Sequence, residues 1–261
     1  MNDAGALLHA GALGLGAACA IAVLVWALSV PLRDVSIVDS AWSLLVLAAA
    51  AVSIAVLPQP GPRATAILLL AGAWALRLAS YITWRHWGHA EDHRYQAIRA
   101  RNQPHFAWKS LYLVFGLQAL LAWIVSLPLI AAVASAAAWG WLDALGLALV
   151  GAGFAIEAIA DGQLARFKAN PGNRGHVMAA GLWRYSRHPN YFGEFCLWWG
   201  FGLMALAAGA WWALVSPLLM SVLLLKVSGV TLLEKDIGER RPAYRHYIAR
   251  TNAFFPWRPR A

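Results

Sequence analysis

Long apolar runs separated by short polar connections set the organisation of this chain. Seven runs stand out, at about 10–32, 41–58, 64–84, 107–133, 141–162, 190–209 and 211–231. Each approaches the ~20 helical residues that cross a ~30 Å hydrocarbon core. The first run is too long for the apolar part of a signal peptide and has no basic segment before it, so it reads as a retained helix. No internal repeat and no low-complexity linker interrupts the series. The pattern predicts an all-α, polytopic membrane protein of about seven transmembrane helices, folded as one domain over residues 1–261.

The connections alternate in charge. Arg33 lies at 33–40, and Arg85, Arg94, Arg99, Arg101 and Lys109 lie at 85–109. Arg166, Lys168, Arg174, Arg184 and Arg187 lie at 163–189, and the tail after 231 is again basic. Between them, 58–64 holds only Arg63, while 134–140 and 208–212 hold no basic residue. Cytoplasmic loops carry the excess of Lys and Arg. The N-terminus is therefore expected outside and the C-terminus in the cytoplasm.

Composition agrees with the pattern. The 261 residues are 61% hydrophobic and 13% charged, with a mean hydropathy of +0.56, a membrane-protein profile. The net charge of +9 is divided among separate loops, which suits an anionic membrane face and an anionic ligand rather than nucleic acid. Cys19 and Cys196 both lie in apolar runs, so neither a disulfide framework nor a metal cluster is expected.

The polar chemistry gathers where apolar runs begin or end. The segment Gly181-Leu-Trp-Arg-Tyr-Ser-Arg-His-Pro-Asn-Tyr-Phe-Gly-Glu194 passes from a basic loop into an apolar helix. Pro189 suits a first helical turn. Arg184, Arg187 and His188 beside that helix N-terminus would suit a phosphate. Gly193 lets a backbone or a flat ring come close. Asn190 and Glu194 share a helix face heading into the membrane, where polar groups serve ligands or partner helices. Upstream, Glu157 and Asp161 also share a face, and Arg166 and Lys168 follow at the interface; Asp161 suits an amide or ribose donor.

In the first half, Arg77 lies about two turns inside its run, and Asp34 or Asp39 is a candidate partner. His86, His89 and His93 recur at helical spacing, but the arginines around them oppose a cation, and Gly88 interrupts the run. Glu91 and Asp92 suit capping or pairing with arginines. Ser36 or Asp39 could cap the second span, and an acid at the membrane edge could also donate a proton. The tail from 231 to 257 reads as an amphipathic surface helix ending in an aromatic anchor, or as a lid that brings Glu234 and the tyrosines over the Arg187 segment.

These motifs resemble a known group. The segment from Gly181 to Glu194 is similar to the cofactor signature of the membrane steroid 5-alpha-reductase and sterol-reductase superfamily. Asp161-Gly-Gln-Leu-Ala-Arg-Phe-Lys-Ala-Asn-Pro-Gly172 resembles its second signature. Arg77, Tyr81, Arg85 and Glu91-Asp-His-Arg-Tyr95, with Val38-Asp-Ser-Ala-Trp42, look like the bacterial DUF1295 branch. The resemblance implies a seven-helix fold in the bacterial inner membrane, with substrate-side helices at 10–135 and a cofactor-binding half at 141–261. It implies NADPH bound from the cytoplasm and hydride passed to a polarised alkene, commonly an enone of a steroid-like or other lipid.

Asp161, Arg166, Asn190, Glu194 and Trp198 would then contact the cofactor. Lys168, Arg174, His176, Arg184 and Tyr185 would join them, with Arg187, His188, Tyr191, Glu234 and Tyr247. An acid and a tyrosine polarise the substrate carbonyl in such enzymes, and the candidates are Asp39 and Tyr81, with Glu91 and Asp92 in reserve. The chain departs from steroid 5-alpha-reductases in lacking their adjacent Gln-Glu pair; its second span has Leu, Val, Ala and Ser instead.

A second resemblance leads to different chemistry. S-adenosylmethionine-dependent isoprenylcysteine and phospholipid methyltransferases share Arg-His-Pro-x-Tyr and a tail glutamate, but they usually lack an acid like Glu194 and lack the Asp-x-Gln…Phe-Lys segment. A lipid-binding or scaffold protein would retain no cofactor. The charge pattern predicts that a reporter fused after Ala261 is active only in the cytoplasm; activity only in the periplasm would overturn that orientation.

Overall fold

The apolar runs form helices, and their ends mark where polar residues let the chain turn. In a computed structural model, residues 3–227, 229–234, 237 and 242–260 are described. The long elements are α1 (Asp3–Leu32), α2 (Ile37–Ala55), α3 (Ala64–His86), α5 (Phe106–Ala134) and α6 (Trp141–Ala169). A short helix α4 (His93–Arg101) lies in the connection before α5. After α6 come α7 (Pro189–Ala207), α8 (Trp211–Val227), α9 (Val230–Glu234) and α10 (Ala243–Arg250). No strand occurs among the described residues.

This is a helical membrane protein. Among the described residues five helices, α1, α2, α3, α5 and α6, are long and apolar enough to cross a membrane. The sixth and seventh expected runs are also helical. α7 has 19 residues, but its Asn, Glu, Tyr and Trp residues dilute its hydropathy, and α8 is a shorter apolar helix.

Several boundaries differ from the periodicity. α1 begins at Asp3 and α6 continues to Ala169, which makes Gln163, Arg166 and Lys168 helical. The expected histidine row is broken because α3 ends at His86 and Gly88 turns the chain at φ 74°. The tail expected as one helix over 231–257 contains α9 and α10, with irregular backbone from Thr251 onward. Its basic and acidic residues Lys235, Asp236, Glu239, Arg240 and Arg241 lie outside the described residues.

The chain divides into two compact units: residues 1–139 with 205–213, and 140–204 with 214–261. In the first, α2 is central and packs on α1, α3 and α5. Val38, Leu45, Val46 and Ala49 are fully buried along it. At the end away from Asp39, the side chain of Arg63 is buried and donates to the carbonyls of Ala137 at 2.7 Å and Ala138 at 3.0 Å.

In the second unit, α6 and α7 run antiparallel at backbone contact. A Cβ on Gly153 would lie 2.5 Å from the Gly193 carbonyl oxygen, and one on Gly193 would lie 2.6 Å from the Glu157 nitrogen. Gly146 and Gly200 repeat the approach seven residues away along each helix. Small residues drive such crossings in membranes, where lipid offers no hydrophobic gain from association. Gly193 is thus approached by a backbone, not by a ring. Gly153→Val should force the helices apart at a cost of roughly 1–3 kcal/mol, read as a fall in melting midpoint. Gly151→Ala, with open space at that position, should leave the midpoint unchanged.

Candidate functional site

Each unit carries its own polar constellation. In the second, Pro189 starts α7, so the loop before it delivers Arg187 and His188 to the helix entrance. Both are buried. Arg187 donates Nε–H to Glu234 Oε1 at 2.7 Å and Nη2–H to Glu234 Oε2 at 2.6 Å. His188 Nε2 lies 2.9 Å from Glu234 Oε1. The Nη1 group of Arg187 donates to the Ile248 carbonyl at 3.1 Å and to that of Thr251. In this arrangement the fork holds the tail and does not offer a two-toothed face to a phosphate.

Other contacts extend the same closure. Ser186 Oγ donates to the Phe254 carbonyl at 2.7 Å, and the Arg187 amide donates to Asn252 at 2.9 Å. The Tyr247 hydroxyl donates to the carbonyl of Trp183. Glu234 and Tyr247 therefore reach the motif segment.

The two signature segments also meet. Asn190 donates to Asp161 Oδ1 at 3.2 Å. Gln163 Oε1 accepts the Leu182 amide at 3.0 Å, while Trp183 Nε1 donates to the Ala160 carbonyl at 3.0 Å. Gly181 has φ +59°, and a Cβ there would lie 2.5 Å from the Gln163 amide, so both backbone shape and space require glycine. Asp161, Glu194 and Trp198 are buried, and Asn190 and Tyr191 half-buried. Arg166, Lys168, Arg174, His176, Arg184 and Tyr185 are exposed.

In the first unit, Asp39 sits in the first turn of α2. Its Oδ1 accepts the Tyr95 hydroxyl at 2.5 Å, and its Oδ2 accepts Arg94 Nη2–H at 2.7 Å. Arg94 also donates to Asp92, whose carboxylate caps α4. Burial raises the Asp92 carboxyl pKa, but hydrogen bonds and charge from Arg94 outweigh it and hold the group below its usual range. Burial first, and the Asp39 charge second, push the Tyr95 phenol up, so it remains a donor.

Tyr81 lies elsewhere on its helix: the guanidiniums of Arg77 and Arg85 stand 5.4 and 5.6 Å from its ring centre. Asp34 pairs with His86 at 3.0 Å and accepts the Ser36 hydroxyl. Glu91 accepts the Val35 amide at 2.9 Å and two bonds from Arg99, at 2.9 and 2.7 Å. Glu91 and Asp92 thus fasten α4 and the α1–α2 turn. Among the described residues no three His, Cys, Asp or Glu side chains form a metal site.

Sequence reasoning missed Tyr95, Arg94 and Gln163 as site residues. The Asp92 cap and the Arg94-Tyr95 pair behind it were visible, but their partner lies 55 and 56 residues away. Gln163 was visible as part of a motif without a stated role.

The chain belongs to the family described as protein of unknown function (DUF1295), whose pattern matches residues 25–251. No curated protein and no solved structure matches the chain.

Burial raises the Glu234 carboxyl pKa, but His188 and Arg187 outweigh it, and the group falls from 4.5 to about 2. A lowered carboxyl stabilises above its unfolded pKa and loses that contribution as pH falls through the folded value. The tie should therefore hold above pH 4.5 and weaken towards about 2, seen as faster proteolysis of the tail. Glu234→Ala should release the tail at neutral pH, because it strands a buried guanidinium at a cost of roughly 3–5 kcal/mol. Unchanged proteolysis in that variant would show that the fork does not hold the tail.

Proposed function

We propose that this DUF1295 protein is an NADPH-dependent membrane reductase related to the steroid 5-alpha-reductase superfamily. It would pass hydride to the activated C=C bond of a lipid enone. The observation that carries the reading is the contact between the two signature segments, Asn190 on Asp161 and Leu182 on Gln163. The Asp-x-Gln segment is the part that methyltransferases of similar motif lack. Here it is joined to the Arg-His-Pro-Asn-Tyr segment rather than left at a distance.

The donor set fits a phosphorylated dinucleotide. Exposed Arg166, Arg174 and Arg184 can present guanidinium forks to the 2′-phosphate, a task for which a lysine is a poorer match. Lys168 and His176 add positive field. Asp161, Asn190 and Glu194 supply acceptors and a donor for ribose hydroxyls or the carboxamide. When bound, the dihydronicotinamide supplies the hydride. The chain supplies the proton and polarises the carbonyl. A phenol is the proposed proton donor, either Tyr81 or Tyr95, and Tyr95 would first have to turn its hydroxyl from Asp39 to the substrate. Without the Gln-Glu pair, the substrate is better taken as a lipid enone other than a steroid.

The reading includes seven spans, with α7 and α8 completing the crossing. It places the N-terminus outside and the C-terminus in the cytoplasm of a bacterial inner membrane, because the basic connections alternate. A second reading rests on the Arg187–Glu234 fork. Arg-His-Pro-x-Tyr and a tail glutamate are what S-adenosylmethionine-dependent methyltransferases share with this chain.

Titration of detergent-purified protein separates the two. NADPH should bind at least tenfold more tightly than NADH, since one charge-assisted hydrogen bond is worth about 1.5–3 kcal/mol. Asn190→Ala and Glu194→Gln should weaken NADPH binding while the melting midpoint stays near wild type. Asp39→Asn should keep NADPH binding and lose NADPH oxidation across a panel of enones. Binding of S-adenosylmethionine with none of either dinucleotide would assign the protein to methyl transfer.

A further inference from the structure

Within the first unit a groove of 640 Å³ is lined by residues of α1, α2 and α3. Its walls are two helical stripes. Ile37, Ala41 and Leu44 come from one face of α2, and Leu76 and Ala79 from α3. The polar lining consists of three hydroxyls, Ser40, Ser80 and Thr83. Among the described residues no charged one lines it. Neither Asp39 nor any other member of the two constellations lies in its wall.

The groove has a defined depth. Ile37 begins α2, and Trp87 directly follows α3, so these residues mark its polar end. There Asp34 pairs with His86. Trp84 and Trp87, 63% and 78% exposed, suit the headgroup level where indole rings concentrate. From Trp87 to Leu76 the wall extends about 16 Å at ~1.5 Å per helical residue. Half of a ~30 Å hydrocarbon core is about the same. The groove therefore spans one leaflet and no more.

That length, the apolar walls and the hydroxyls point to one occupant. We infer that the groove holds one acyl chain of an anionic phospholipid from the adjoining leaflet. The chain covers the apolar stripes, and the hydroxyls donate to ester carbonyl oxygens. Exposed Arg33, at the end of α1, and exposed Arg85, in the last turn of α3, lie at the polar end and favour a negative headgroup. The inference stands apart from the reductase reading, because it uses none of that reading's residues.

The test is native mass spectrometry of full-length protein, delipidated in detergent and then given palmitoyl-oleoyl phosphatidylglycerol or the matching phosphatidylcholine. Wild type should hold one phosphatidylglycerol per chain in preference to phosphatidylcholine. Ser80→Trp fills the groove from an exposed position and should cut the lipid-bound fraction at least tenfold. Thr83→Trp should do the same, which guards against misfolding of one variant. Both should keep the wild-type melting midpoint. Arg33→Gln with Arg85→Gln should remove the headgroup preference and keep the chain bound. Wild-type lipid occupancy in both tryptophan variants would overturn the site, and equal retention of the two lipids by wild type would overturn the anionic headgroup.

Discussion

The fork of Arg187 on Glu234 is the contact on which the C-terminal half depends. A guanidinium and a carboxylate so little exposed are costly to desolvate, and only mutual pairing with further hydrogen bonds offsets that cost. The remaining Arg187 donors reach the carbonyls of Ile248 and Thr251. One side chain therefore sets α9, α10 and the irregular tail against the loop before α7. Ser186 and Tyr247 then add their own bonds to backbone oxygens. The aromatic cluster of Phe192, Phe195, Phe254 and Phe255 packs in the same region, with ring centres 5.2–6.3 Å apart.

The first unit solves the same problem at a smaller scale. Its polar residues at the start of α2 and around α4 are partnered in pairs that leave little freedom: Asp34 with His86, Asp39 with Arg94 and Tyr95, and Glu91 with Arg99. These pairs hold a short connecting helix against the membrane helices. They also give the unit a phenol whose proton is retained and whose position is set by a carboxylate. Delivering that proton to a substrate would require the hydroxyl to turn from Asp39, whereas the network as it stands is sufficient to stabilise the turn.

The two chemical readings differ in which bonds they rely on. Methyl transfer rests on the Arg187–Glu234 tie, and hydride transfer on the Asn190–Asp161 and Gln163–Leu182 contacts. Both sets lie where α6 and α7 approach through Gly153 and Gly193. That close crossing sets Asp161, two turns beyond Gly153, beside Asn190, which precedes Gly193, and it serves either reading equally. The reductase proposal also draws on the exposed guanidiniums of Arg174 and Arg184 on the loop after α6.

The helices themselves were legible in the chain because a span must be apolar over its whole length: all seven expected runs are helical, and among the described residues five are long and apolar enough to cross a membrane. The cap at Asp92 and the helix start at Pro189 were equally local. The close α6–α7 crossing was only half legible: Gly193 announced a near approach, but whether a backbone or a ring came close depended on the neighbouring helix. Partners were not legible at all where they lay far apart in sequence. Asp39 drew Tyr95 rather than Tyr81 because α4 folds back over the start of α2, while Tyr81 remains among the arginines of its own helix. Arg187 read as a phosphate ligand until the tail supplied a carboxylate at the right height. Apolar length is a property of a segment and can be read from it; the pairing of buried charges is a property of two segments, and only tertiary structure brings those together.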